Sequence, residues 1–165
     1  MTLIEKIGNC SLILASLVFV ASTGRNYLQS KSSPKHPLIR RGASIKVAGI
    51  PPAAASGSTL LLALSTNCHY CKEGLPFYGR LSKLRKFREG NARLVAVFPE
   101  GQADGESFLR LGGVSASAVI SASLVGSGVP GTPTFLLLDG TNHVQQVWFG
   151  ELKAPQEQEL ISMFQ

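Results

Sequence analysis

The chain has 165 residues, 44% of them hydrophobic and 16% charged, with a net charge of +6. That balance suits a packed core and excludes a disordered polyelectrolyte, and the Gly and Pro content is too low for a fibrous repeat. Three cysteines are too few for a multi-bridge disulfide scaffold.

Residues 1–24 read as a signal peptide or membrane anchor. The stretch from Ile7 to Gly24 carries no charge, and its densest part, "SLILASLVFVA", runs from Ser11 to Ala21. An apolar run of that length fits a signal core or a short span. Cys10, at its edge, reads as a small apolar filler. Residues 25–42 read as a linker, because "SKSSPKHP" is polar and interrupted by proline. Six cations (Arg25, Lys31, Lys35, Arg40, Arg41 and Lys46) follow the apolar segment with no acid among them. By the positive-inside rule they would hold the rest of the chain in the cytoplasm; a cleaved signal, or export overriding a weak bias, removes that constraint. Seven more cations lie between Lys72 and Arg93. Neither group comes with zinc-finger spacing or an aromatic strand motif. The charge therefore reads as a juxtamembrane segment and a solvated helix face, with no nucleic-acid partner.

Residues 43–165 read as one α/β domain. "ASIKVAG" (Ala43 to Gly49) predicts a short first strand. "TLLLALS" (Thr59 to Ser65) is a continuous apolar run, the pattern of a strand buried on both faces. Phe77, Leu81 and Leu84 recur at helical spacing, which predicts a helix from the cysteine pair to Arg88, closed by Gly90. "RLVAVF" (Arg93 to Phe98) is the next strand, and "DGESFLRLG" (Asp104 to Gly112) a short helix. Val114 to Gly128 is rich in Ser, Ala and Val and carries no clear period. "PTFLLLDG" (Pro133 to Gly140) and "HVQQVWFG" (His143 to Gly150) predict a hairpin across an Asp-Gly turn, and "APQEQELISMF" (Ala154 to Phe164) a closing helix. Alternating strands and helices predict a sheet with helices on its faces.

Cys68 and Cys71 form a C-x-x-C pair between a buried strand and the start of a helix. Unpaired N–H groups and the positive end of the helix dipole stabilise a thiolate there. Such settings lower a cysteine pKa from ~8.5 to roughly 3.5–7.5. Cys68 is then the attacking sulfur and Cys71, one turn on and more buried, the resolving one. A protonated His69 would add to the stabilisation and make the disulfide more oxidising; Tyr70 is its neighbour inside the pair. Three other readings stand beside redox chemistry. A zinc half-site lacks a second ligand pair, since only His36, His69 and His143 remain. A static disulfide would close a two-residue loop and gain little chain entropy. Two inert thiols are the third.

These residues resemble the thioredoxin superfamily. "CHYCK" fills its C-x-x-C-K pattern, and Pro76 falls where thioredoxins carry a helix-kinking proline. "VPGTPTFLLLDG" resembles the segment holding their cis-proline, and "GTPTFLLLDGTNHVQQVWFG" is similar to the end of the TlpA-type, membrane-anchored branch. The resemblance covers Ala43 to Gln165 and implies a thioredoxin-like fold, a central mixed β-sheet flanked by helices. It implies a cis Thr132–Pro133 bond, with the Thr132 backbone beside Cys68 to pair with an extended substrate. It implies a thiol–disulfide oxidoreductase whose only redox group is the Cys68–Cys71 pair, with no cofactor and no metal. Its partners would be a protein disulfide or dithiol and a separate electron donor. The domain would be anchored in, or secreted across, a bacterial-type inner membrane and act in the periplasm, with reduction the expected direction and dithiol oxidation or metal carriage the alternatives. The family's buried Asp before the active site is missing from "TLLLALS". Proton transfer then falls to water, His69 or Glu100, which otherwise reads as a surface turn residue.

Overall fold

The computed structural model describes residues 39–45, 47, 49–50 and 57–165. The apolar N-terminal segment, Cys10, His36 and most of the linker lie outside the described residues. Among the described residues no helix is long and apolar enough to cross a membrane.

Five strands, β1 (Ser58–Ala63), β2 (Ala92–Phe98), β3 (Ala118–Ser121), β4 (Thr134–Leu138) and β5 (Val144–Phe149), form one sheet in the order β3-β2-β1-β4-β5. β1 and β3 run parallel to β2, whereas β4 is antiparallel to β1 and to β5. The mixed sheet with flanking helices is therefore as the sequence predicts, but among the described residues the helices pack on one face and not on both. β1 is the central strand, and its composition says why. Leu60 and Leu62 enter one core cluster and Leu61 and Ala63 the other, all fully buried. Successive side chains point to opposite faces of a strand, so only an unbroken apolar run can fill both cores.

Among the described residues there are five helices: α1 (His69–Glu73), α2 (Leu75–Leu81), α3 (Arg85–Arg88), α4 (Gln102–Leu111) and α5 (Ala154–Phe164). All of them bury side chains in the same cluster, including Tyr78 and Leu81 of α2, Phe108 of α4 and Leu160 of α5. The opposite face is covered by non-helical chain, through Ile39, Ile45, Leu124 and Val129. Ile39, from the stretch read as linker, is tied down by a hydrogen bond from its N–H to Gly128 O (3.1 Å). The folded unit thus begins before Ala43, because an isoleucine there covers the sheet.

Three expectations are corrected. The single helix predicted from the cysteines to Arg88 is three short ones. α1 ends at Gly74, which also opens α2, and Pro76 in the first turn of α2 has no N–H to continue the α1 ladder. A Cβ at Gly74 would run into the Tyr78 ring, 2.9 Å from its Cε1, so the break is filled by an aromatic side chain. The strand predicted at Ala43 to Gly49 is reduced, among the described residues, to one bridge between Ser44 and His143. The unassigned stretch after Val114 holds β3, an edge strand in which only Ile120 is buried. The hairpin turn is also longer than Asp-Gly alone. Asp139 N–H donates to His143 O (3.0 Å), and Asn142 takes a positive φ of 61°, a conformation Asn tolerates better than most residues.

Candidate active site

Cys68 is the N-cap of α1, in extended conformation (φ −83°, ψ 120°). Its sulfur accepts from the Cys71 N–H at 3.3 Å, as N-cap oxygens do elsewhere. As a thiol, Cys68 donates to Thr132 O at 3.3 Å. Thr132 precedes Pro133, and the peptide bond between them is cis. Both ends of that loop are held: Gly150 N–H donates to Pro133 O (2.8 Å) and Thr134 Oγ1 to Gly131 O (2.7 Å). The β4–β5 pairing therefore delivers the Thr132 backbone to the cysteine.

The two thiols are unequal. Burial pushes Cys68 up, but the Cys71 thiol, the Thr132 side chain and the N–H groups of Cys71 and Tyr70 outweigh it, and its pKa falls below the ordinary thiol value. Cys71 is fully buried. Burial, together with the hydrogen bond it donates to Cys68, pushes it up to about 12, against a smaller opposing pull from the Ser65 N–H. Of the two, Cys68 is therefore the thiol that ionises first, and Cys71 the one that keeps its proton. Because α1 has only five residues, little of this comes from a macrodipole; local N–H groups do it.

The other predicted residues sort themselves by position. His69 is exposed and lies 3.2 Å from Glu73 in an i,i+4 pair. It is not among the groups that set the Cys68 pKa. Tyr70 is 52% exposed. It borders a cavity of about 150 Å³ beside the pair, lined also by Gly74, Pro76, Tyr78, Phe135 and Leu152. An Arg80–Glu157 ion pair (3.1 Å) stands at its edge. Glu100 is not a free surface turn residue. It is half-buried and accepts from Ser65 Oγ at 2.5 Å. His143 is in the distant hairpin turn, with Asp139. Among the described residues no group of three or more His, Cys, Asp or Glu could hold a metal ion.

Sequence reasoning missed two residues. Ser65 was read only as the end of a strand, yet its carbonyl accepts the Cys68 N–H (3.2 Å). Tyr78 is 1% exposed. Its phenol is pushed above its ordinary pKa, first by burial and then by the negative charge of the two cysteines. Its place beside Phe77 in the helical pattern was the available signal.

The thiolate is the form that alkylates. The rate of Cys68 alkylation by iodoacetamide should therefore rise with pH to a midpoint below that of a free thiol and then level off. Cys71 should stay unlabelled up to pH ~9. A Cys68 midpoint at or above that of a free thiol would overturn the inequality of the pair.

A mixed sheet with this strand order, a C-x-x-C pair after its central strand and a cis-proline loop beside it define a thioredoxin-like fold. Solved structures agree. A candidate thiol:disulfide interchange protein DsbE from Chlorobium tepidum superposes with a TM-score of 0.59 at 18% identity, covering 76% of this chain and 97% of its own. The thioredoxin domain of a thiol-disulfide oxidoreductase from Bacteroides vulgatus gives 0.57 at 12% identity, covering 76% and 98%. StoA from Bacillus subtilis gives 0.50 at 20% identity, covering 75% and 96%. No protein-family model matches the chain, and no curated protein does.

Proposed function

We propose that this chain is a thiol–disulfide oxidoreductase that reduces protein disulfides outside the cytoplasm. The observation that carries the oxidoreductase reading, whichever way the electrons run, is the inequality of the two thiols: Cys68 at the N-cap beside Thr132 O, and Cys71 fully buried. The Cys68 thiolate attacks one sulfur of a substrate disulfide. A Cys68–substrate bond forms, the substrate S–S bond breaks, and the departing thiolate takes a proton from water. Cys71 then loses its proton to solvent and attacks Cys68. The Cys68–Cys71 disulfide forms, and the second substrate thiolate leaves and is protonated. Two electrons pass from the dithiol to the substrate, and a separate dithiol donor restores the pair. The Thr132 backbone pairs with the substrate chain in extended form. No cofactor or metal takes part.

One observation supports reduction as the direction. His69 is paired with Glu73, so its positive charge, when present, is offset and is not spent on the Cys68 thiolate. The solved structures of similar fold include proteins described as thiol:disulfide interchange proteins, which supports the exchange chemistry itself. The lowered Cys68 pKa favours the opposite reading, a dithiol oxidase, since a stabilised thiolate makes the reduced form easier to keep. The same proposal takes residues 1–24 as signal or anchor, a linker that ends before Ile39, and a redox domain that acts on the periplasmic side.

The reduction potential, measured by equilibration with glutathione, decides between the two. It should lie nearer ~−270 mV than ~−120 mV, and insulin reduction should be catalysed. A value near ~−120 mV would replace the reductase by an oxidase. No thiol–disulfide exchange in either direction would end the enzyme reading.

A further inference from the structure

Resting on that reading, we infer that the cavity beside Tyr70 receives a basic side chain of the protein substrate, so that the enzyme selects disulfides with a lysine or arginine close to the attacked cysteine. The cavity lies near the reacting sulfur. Tyr70, at its border, stands between the two cysteines in the chain. Phe135, in its wall, is three residues from Thr132, whose carbonyl is 3.3 Å from the Cys68 sulfur. An extended substrate strand laid on the Thr132 backbone rises ~3.3 Å per residue. A side chain within about three residues of its cysteine therefore spans the same separation. At about 150 Å³ the space is well below the ~300 Å³ at which pockets for small molecules begin. It takes one side chain.

The lining suits a cation. Three carboxylates, Glu73, Glu151 and Glu157, border the cavity against one cation, Arg80. Each carboxylate has a basic partner: His69 with Glu73 (3.2 Å), Lys153 with Glu151 (3.6 Å) and Arg80 with Glu157 (3.1 Å). All three partners are exposed, and exposed pairs hold weakly, so an incoming cation can share the carboxylates. Aromatic rings attract cations to their faces, and Tyr70, Phe77, Tyr78 and Phe135 all line the space. The chain's own Arg80 already uses both elements, lying 5.7 Å from the Phe77 ring centroid while it pairs with Glu157. A polar group also faces the cavity. Tyr78 is 1% exposed, and among the described residues its hydroxyl makes no hydrogen bond. That hydroxyl lies against Gly74, which lines the same space. A buried hydroxyl without a partner is costly. A lysine ammonium has only donors to offer, and the phenol oxygen accepts one. The apolar stem of the same side chain packs on Phe135 and Leu152. An acidic side chain would be repelled by the three carboxylates.

Peptides with one cysteine capped as a mixed disulfide with 5-thio-2-nitrobenzoate test this on the full-length reduced protein. The Cys68 thiolate bonds to the peptide sulfur, the capping S–S bond breaks, and the coloured thiolate leaves. Lysine or norleucine is placed in turn at each of the three positions on either side of the cysteine. At a particular position the lysine peptide should react about tenfold faster than the norleucine peptide, the worth of one hydrogen bond and two partly exposed ion pairs. Tyr78→Phe keeps the ring, removes the hydroxyl and should lower that ratio to about threefold. Glu151→Gln combined with Glu157→Gln should lower it to about twofold. A ratio taken within one variant is insensitive to a general loss of activity or of folded protein. If the double variant does not fold, Tyr78→Phe and Glu151→Gln alone carry the comparison. Normal release with no lysine preference overturns the inference alone. So does an equal preference at every position, which marks general attraction to an acidic surface, or a preference that all of these substitutions leave intact. No release from any peptide by wild type overturns the functional reading and this inference with it.

Discussion

Cys68→Ser lowers the reduction of a protein disulfide by at least about 10³-fold, because a hydroxyl cannot ionise at neutral pH to replace the thiolate. Cys71→Ser leaves the first attack intact and halts the reaction at a Cys68–substrate mixed disulfide. The asymmetry follows from the site. Cys68 has its stabilising N–H donors whether or not Cys71 carries sulfur, since the Cys71 donor at 3.3 Å is backbone. The hydrogen bond from the Cys71 thiol is the other contribution, and a serine hydroxyl at that position can donate in its place. The alkylation midpoint of Cys68 in Cys71→Ser should therefore stay below that of a free thiol. Non-reducing gels and mass spectrometry of Cys71→Ser read the trapped species directly. Wild-type turnover in Cys68→Ser, or no adduct in Cys71→Ser on incubation with a disulfide substrate, would remove Cys68 from its role.

Phe135→Ala carries the largest expected cost in stability, about 3–5 kcal/mol. Phe135 is 1% exposed and meets Phe77 and Tyr78 edge-on, with ring centroids 6.4 and 5.8 Å away. It lies two residues after Pro133, pairs with Leu62 of β1, and lines the cavity beside Tyr70. Its loss removes buried apolar area and two aromatic contacts at once. For a domain with ~5–15 kcal/mol of net stability that is a large fraction. Urea unfolding measures it, and a cost below ~1 kcal/mol would show that β4 is not anchored through this ring. Residual activity should fall with it, since the same strand begins beside the Thr132 backbone.

What could be read from the sequence follows the strength of the local signal. β1, β2, β4, β5 and α5 were legible because each is an apolar run or a clear period bounded by turn residues. α5 spans Ala154–Phe164 in both readings. β3 was not legible. It is four residues long, lies at an edge and buries little, so its alternation is hidden among Ser and Ala. The break at Gly74 was marked by Gly and Pro76, but the apolar spacing across it continues into α3, because all three short helices face the same core. Glu100 was the largest misjudgement. Its partner Ser65 is 35 residues away in sequence, and no local pattern can announce such a contact. The cysteine pair was the opposite case, since its spacing alone places both sulfurs on one turn.

The last helix closes over the arm that follows the cysteines. Phe164 stacks on Phe87 at 4.6 Å, and Lys86 Nζ donates to Met163 O (2.6 Å). The chain's one tryptophan, Trp148, lies beneath it and donates to Glu159 Oε2 (3.4 Å). Trp148 is also the cross-strand partner of Phe135. Intrinsic emission of this protein is therefore a gauge of whether α5 is seated. Undocking of the helix would wet the indole and shift its spectrum to the red, with no added dye or label.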